Sequence, residues 1–144
     1  MTERIQNVVP KEWNGIHFRS SLEADTAKTL DALGIPYKYE ERKITLQESF
    51  RSPFQKEKVR ALTYTPDFEI GNIMIECKGF ETPEWKIKKK LLFKYLGDKE
   101  PKTIFYQIHD CKKSLIQVLD KYWTSWGYCI QTISFGTRSK PPIV

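Results

Sequence analysis

The sequence has few cysteines and no long apolar run, and both absences restrict its class. Its three cysteines, Cys77, Cys111 and Cys129, are widely spaced and lack the CxxC or Cys/His spacing of a zinc site. Because they are isolated and odd in number, we expect reduced cytosolic thiols rather than a disulfide framework. No apolar run approaches the ~20 residues that cross a bilayer, and the N-terminus has no apolar signal segment. We therefore expect a soluble intracellular protein without a membrane partner.

The composition indicates one folded domain with a basic balance. Aromatic residues make up 13% of the chain and apolar residues 40%, which excludes intrinsic disorder. A chain of 144 residues can bury enough surface to form one core unaided. The net charge of +6 is compatible with a polyanionic partner, although many proteins with such a charge bind none. We expect a single domain over residues 1–144, with flexible ends at 1–15 and 136–144.

Apolar spacing and turn residues predict the order α, β, β, β, α, β, α, β, a mixed α/β sheet flanked by helices. Ser20 and Glu23 form a capping-box pattern that begins the first helix, which Gly34 and Pro36 end. The next elements are predicted as a long strand over 35–46, strands over 64–70 and 73–78, a helix over 83–96, a strand over 103–109, a helix capped by Asp110 and a strand over 128–135. Residues 47–63 are predicted to be a basic connector that exposes Arg51, Lys56, Lys58 and Arg60.

The pair Gly71-Asn72 predicts a tight turn that fixes the register of the strands beside it. Residues 68 and 75 then pair, and Asp67 lies opposite Glu76. Strand alternation sends Asp67, Glu76 and Lys78 to one face. The other face carries the apolar set of Phe68, Ile70, Ile73, Ile75 and Cys77.

Two opposed carboxylates at ~5 Å repel each other by roughly 3 kcal/mol at an effective dielectric near 20. A hard divalent cation, Mg²⁺ or Mn²⁺, would relieve this repulsion, and Lys78 would stand beside whatever the cation binds. The alternative is a solvent-facing hairpin whose charges separate in water.

These residues resemble the PD-(D/E)xK nuclease superfamily, whose αβββαβ core order matches the predicted elements. Its motif is matched by Pro66-Asp67 and Glu76-Cys77-Lys78. More narrowly, the chain resembles the phage endonuclease I family of junction-resolving enzymes. The blocks that carry the resemblance are FRSSLE at 18–23, GIPYKYEE at 34–41, YTPDF at 64–68 and ECKG at 76–79.

The resemblance implies a metal site and a set of catalytic residues. Asp67, Glu76 and the backbone carbonyl of Cys77 would hold the metal, Lys78 would lie beside the attacking water, and Glu23 would be a further catalytic acid. The resemblance also implies an intertwined homodimer in a restriction-endonuclease-like fold, so Glu23 belongs either to its own site or to that of the partner subunit. Without the resemblance, Glu23 is explained as a capping residue.

The chain departs from the family at two places. Lys38 stands where the family uses an acidic residue, which leaves Glu40 as the alternative for that role. The segment between Glu41 and Tyr64 is longer than the family's bridge, so the geometry of a dimer is open.

Basic residues supply candidate DNA contacts. A helical wheel over 83–96 places lysines on one face of the helix. The other face is apolar and carries Trp85, Ile87, Leu91, Leu92, Tyr95 and Leu96. Lys88 falls inside that apolar arc, and we expect its ammonium to extend to solvent. A lysine face that is merely solvated is the alternative. The predicted DNA-binding set is Arg19, Lys86, Lys89, Lys90 and Lys94, and Arg138 and Lys140 would add phosphate contacts.

Together these features predict a Mg²⁺-dependent deoxyribonuclease that hydrolyses phosphodiester bonds. Four-way (Holliday) junctions and branched DNA are the substrates that the resemblance implies, in DNA recombination and in the host cytoplasm if a phage encodes the protein. The alternatives are a duplex-cutting endonuclease of restriction or transposition type, and a catalytically silent nucleic-acid-binding subunit.

Overall fold

The structure is a computed structural model that describes residues 11–111 and 113–125. Over this range the chain is a mixed α/β protein, as predicted. Cys129, the predicted strand over 128–135, the basic tail and residues 1–10 lie outside the described residues. The elements are β1 (Lys11–Trp13), β2 (Ile16–Phe18), α1 (Ser21–Ala32), β3 (Lys38–Tyr39), β4 (Ile44–Gln47), β5 (Leu62–Tyr64), β6 (Phe68–Ile70), β7 (Ile73–Cys77), α2 (Pro83–Lys99), β8 (Ile104–Ile108) and α3 (Ser114–Ser125).

Four of these strands form the main sheet, in the order β3-β6-β7-β8. The β3–β6 and β6–β7 pairs are antiparallel, whereas β7 and β8 are parallel, because α2 carries the chain back between them. Two ribbons, β1–β2 and β4–β5, complete the β-structure of the described chain. The strand predicted over 103–109 is β8, which is the outer strand of the described sheet. Its long apolar run suggests a central, buried strand, but Ile104 is 44% exposed.

Two apolar clusters cover the two faces of the sheet. One joins α1 and α3 to the face that carries Phe68, Ile70, Ile73 and Ile75, which is the face that strand alternation predicted. The other joins Met74 to apolar residues of α2 and of the β4–β5 ribbon, namely Ile44, Tyr64, Trp85, Leu92 and Leu96. Among the described helices none is long and apolar enough to cross a membrane.

Local signals place the starts of α1 and α2 correctly. Ser20 caps α1 by accepting a hydrogen bond from the Glu23 amide, and Thr82 caps α2 by accepting one from the Trp85 amide. The predicted end of α2 at Gly97 is wrong, since the helix continues to Lys99. An exposed helical glycine costs about 1 kcal/mol relative to alanine, yet the Glu100 amide donates to the Leu96 carbonyl at 2.9 Å and continues the helical hydrogen bonding past Gly97.

Both long predicted strands are divided in the structure. The segment over 35–46 turns at Glu40, whose φ of +46° separates β3 from β4. The segment over 64–70 is interrupted at Pro66, which has no amide to continue a ladder, so β5 and β6 enter different sheets. The predicted connector over 47–63 is largely the β4–β5 hairpin, which an additional bridge between Phe50 and Val59 extends.

The predicted register of the β6–β7 hairpin is confirmed, with Phe68 opposite Ile75 and Ile70 opposite Ile73. Only the first turn residue, Gly71, has a positive φ, at +58°. The predicted flexible end over 1–15 is too long, because residues 11–18 form the β1–β2 hairpin.

Candidate metal centre

Three carboxylates from distant parts of the chain meet at one end of the main sheet. Glu23 lies on α1, Glu40 directly follows β3, and Asp67 directly precedes β6. One carboxylate oxygen of each lies within 4.8 Å of the others. The antiparallel β3–β6 pair explains this meeting, because Tyr39 pairs with Phe68 and the Glu40 amide donates to the Asp67 carbonyl at 3.1 Å. We call Glu23, Glu40 and Asp67 the carboxylate cluster.

Glu23 is buried, with 5% of its surface exposed. Its carboxylate accepts hydrogen bonds from the Ser20 hydroxyl at 2.9 Å and from the Tyr39 hydroxyl at 3.0 Å. Burial raises the pKa of Glu23 above its usual range. Glu23 therefore combines the helix-cap and the metal-site interpretations. Its backbone amide donates to the capping Ser20 hydroxyl, while its carboxylate lies near Asp67 and Glu40.

Asp67 is the most strongly perturbed carboxyl of the cluster. Its carboxylate accepts a hydrogen bond from the Cys77 amide at 2.8 Å. Burial, followed by the charges of Glu76 and Glu23, raises the pKa of Asp67 to about 8. The predicted ladder pairing of Asp67 with Glu76 is corrected, because β6 begins at Phe68. Asp67 nevertheless lies close enough to feel the charge of Glu76.

Glu76 is buried on the α2 side of the sheet and has its own partners. It accepts a hydrogen bond from the Tyr64 hydroxyl at 2.7 Å and pairs with the Lys78 ammonium at 3.1 Å. Lys78 therefore shares a face with Glu76, as predicted. The metal-ligand role of Asp67 and Glu76 stays a prediction, and Glu23 and Glu40 are acids with an oxygen within 4.8 Å of one on Asp67.

The amide and carbonyl of one strand residue point to the same side of the strand. Because the Cys77 amide donates to Asp67, the Cys77 carbonyl also points toward that side. Its contact with a metal stays a prediction.

Aromatic and amide side chains that the sequence did not single out hold Lys78. The Lys78 ammonium lies 4.7 Å from the centre of the Trp85 ring. The Trp85 indole N–H donates to the Gln107 side chain at 2.9 Å, and Gln107 pairs with Glu76 in the β7–β8 ladder. The sequence carried one usable indication, since buried Tyr and Trp need a partner for their polar end.

The predicted DNA-binding residues differ in their availability. Arg19 is exposed but pairs with Glu40 at 3.1 Å. Lys94 pairs with Asp98 in the next turn. Lys89 is not on a free lysine face, because it is half-buried and pairs with Glu81 at 2.6 Å.

Lys86 and Lys90 are exposed and form no ion pair among the described residues. Ile87, predicted on the apolar face, is 63% exposed, whereas Lys88 is half-buried, as its position in the apolar arc predicts.

The donor set of the cluster fits a hard divalent cation. Carboxylate and carbonyl oxygens are the ligands that Mg²⁺ and Mn²⁺ prefer. Burial is the largest cause of the raised pKa of Asp67, and the charges of Glu76 and Glu23 add to it, so a bound cation would stabilise its ionised form. Comparison of the chain with family models, curated proteins and solved structures finds no match.

Proposed function

We propose that this protein is a metal-dependent DNA endonuclease of the phage endonuclease I type. The observation that supports it most is the convergence of Glu23, Glu40 and Asp67 within 4.8 Å, next to a Glu76–Lys78 pair. Together these side chains offer ligands for a cation and a fixed ammonium for a phosphate. Four-way junctions are the proposed substrate on the strength of the sequence resemblance.

In this proposal Asp67, Glu23 and Glu40 hold the cation together with the Cys77 carbonyl. A bound Mg²⁺ would polarise the scissile phosphate and make water a better nucleophile. Lys78 stabilises negative charge that develops on the phosphate. Glu76 and Trp85 fix the Lys78 ammonium. Glu76 stays a candidate ligand, because its charge contributes to the raised pKa of Asp67.

Glu40 takes the acidic role that Lys38 does not fill. Lys38 is exposed on β3, whereas Glu40 is brought to Asp67 by the turn that follows β3. The described chain also holds Glu23 and Asp67 in the same subunit. A homodimer with two complete sites is therefore the arrangement that we propose.

The test is a nicking assay on a four-way junction and on a linear duplex of the same sequence, with Mg²⁺ or with EDTA. We expect Mg²⁺-dependent cleavage of the junction, lost in Asp67→Asn and retained in Asp98→Asn, a matched change of an exposed acid outside the site. Equal cleavage of the duplex would indicate the restriction type. Binding without cleavage in either metal condition would contradict the endonuclease proposal.

A further inference from the structure

The β4–β5 hairpin ends in a basic tip whose residues are not part of the proposed active site. Its base is fixed beside the site, because Tyr64 at the end of β5 donates to Glu76. Phe50 and Val59 exchange two backbone hydrogen bonds, at 3.0 and 2.8 Å. The tip beyond them is held by a hydrogen bond from the Phe54 amide to the Ser52 hydroxyl and by one from the Gln55 side chain to the Glu57 carbonyl.

Like charges lie around the Phe50–Val59 bridge of this hairpin. Arg51 directly follows Phe50 and Lys58 directly precedes Val59, so both flank the bridge on its tip side, and Arg60 flanks it on the other side. Like charges that lie close together are destabilising, and none of these cations forms an ion pair within the described part of the chain. The segment also contains Glu48 and Glu57, which reduce its net charge without forming an ion pair with these cations.

An aromatic ring stands at the end of the same hairpin. Phe54 is 94% exposed, and no aromatic contact of its ring is found among the described residues. A single exposed apolar residue is common on protein surfaces. Here it accompanies three cations on the same hairpin, a combination that is typical of nucleic-acid binding, in which cations contact phosphates and an aromatic ring stacks on a base.

We propose that the β4–β5 hairpin is a DNA-docking element in which Arg51, Lys58 and Arg60 contact backbone phosphates and Phe54 stacks on the face of a base pair that is exposed at a branch point. Phe54 precedes Tyr64 by ten positions, so their Cα atoms are at most about 36 Å apart. That upper limit is about one turn of duplex. The inference rests on the proposed function only in that both need DNA as the ligand.

The test measures the affinity of the full chain for a labelled four-way junction and for a matched linear duplex, in EDTA so that no cleavage occurs. Phe54→Ala is expected to weaken junction binding by roughly 5- to 150-fold, the range for one stacked base, and to change duplex binding much less. Ile104→Ala is the control, since Ile104 is an exposed apolar residue at the opposite end of β8 from the Glu76–Gln107 pair. It should change neither affinity.

The proposed phosphate contacts of the hairpin are tested by a matched pair of double variants. Arg51→Gln with Lys58→Gln should weaken junction and duplex alike and lower the salt slope of binding by up to ~1.8, about 0.9 for each lost phosphate contact. Lys99→Gln with Lys102→Gln removes the same charge from an exposed region at the far end of α2 and should lower the slope less. Equal slopes for the two double variants, or unchanged junction binding in Phe54→Ala, would overturn the proposal.

Two further measurements keep the outcomes distinct. Thermal unfolding checks that every variant folds, as the exposed positions lead us to expect. Sedimentation checks for self-association: a loss of dimer in Phe54→Ala with unchanged affinity per chain would assign the tip to a second copy and overturn the proposal. Junction nicking by wild-type chain in Mg²⁺ is run in parallel. If Phe54→Ala binds the junction more weakly but the wild-type chain does not nick it, the result supports the docking hairpin and contradicts the nuclease proposal. If the wild-type chain nicks the junction but Phe54→Ala binds it normally, only the hairpin proposal is contradicted.

Discussion

On the α2 side of the molecule, Glu69 and Glu100 share the half-buried Arg42, whereas the one ion pair that the carboxylate cluster forms among the described residues joins Glu40 to the exposed Arg19. Arg42 donates two hydrogen bonds to Glu100, at 2.8 and 2.9 Å, and two to Glu69, at 3.0 and 3.1 Å. These bonds lower the pKa of Glu100. Both acids in this region therefore have a cationic partner, and the arrangement joins β6 to the end of α2.

In the carboxylate cluster the pKa of Glu23 and that of Asp67 are shifted upward instead. The cation there, Arg19, contacts Glu40 and is 75% exposed, so it screens the buried acids weakly. The same residue types thus form an ion pair that stabilises the fold in one place and a group of partly buried acids without a buried cation in the other. A bound cation would offset the cost of burying these charges, which makes the second region the functional candidate.

The largest expected effect comes from neutralising one acid in each region. Asp67→Asn should lower Mg²⁺-dependent cleavage by roughly 10³-fold or more, because several kcal/mol of charge stabilisation depend on the cation. Junction affinity should stay equal or increase, since a carboxylate that repels phosphate is gone. Glu100→Gln should leave cleavage near the wild-type rate and lower the free energy of unfolding by about 1 kcal/mol. Equal cleavage by the two variants would remove the distinction between the regions.

Glu23→Gln tests whether the buried carboxylate or the helix cap explains this residue. We expect cleavage to fall by roughly 100-fold with little change in thermal stability, because the Ser20 cap on its amide remains. Ser20→Ala is the opposite control: it should cost about 1 kcal/mol of stability through loss of the cap.

Mixing inactive Glu23→Gln and Asp67→Asn chains tests which subunit supplies each acid. Since one chain holds both carboxylates, we expect no recovery of nicking after mass spectrometry confirms exchange of subunits. Recovered nicking of one strand would mean that the acids act across a dimer interface.

The pH dependence of metal-free stability follows from the raised pKa of Asp67. This pKa is about 8 in the folded chain and about 3.9 in an unfolded chain. Its stabilising contribution is therefore fully present below about pH 4 and is lost as the pH rises through 8. Mg²⁺ should raise the melting temperature by about 3 °C or more at pH 8 and by much less at pH 5. Asp67→Asn should flatten this difference, and a Mg²⁺ effect that is equal at both pH values would contradict the assignment.

The smallest expected effect is on the salt dependence of DNA binding, and it distinguishes lysines that pair with an acid from lysines that do not. Lys86→Gln with Lys90→Gln should lower the salt slope of DNA binding by up to ~1.8. Lys89→Gln with Lys94→Gln removes the same charge from lysines that already pair with acids and should lower it less. Titration of junction binding against salt concentration measures both slopes, and a larger decrease in the second variant would show that these ion pairs open on DNA.

Much of the local structure could be predicted from residues close together in sequence. The caps at Ser20 and Thr82 and the turn at Gly71 act over a few residues, so helix starts and the β6–β7 register were predicted correctly. The division of the strand over 64–70 was missed although Pro66 has no amide to continue a ladder, whereas the contact of Tyr64 with Glu76 joins different strands and is not encoded within that segment. The end of α2 was missed because a single glycine lowers helix propensity by only about 1 kcal/mol and does not end this helix.

By itself, the sequence determined the register of the β6–β7 hairpin, which brings Asp67 close to Glu76, and the shared face of Glu76 and Lys78, because pleat and turn geometry are local. Only the tertiary structure decided which acids converge. Glu23 and Glu40 reach Asp67 because α1 packs on one face of the sheet and β3 pairs with β6. The charge balance of each acid depends on these long-range contacts: burial without a strong cation raises the pKa of Asp67, whereas Arg42 lowers that of Glu100.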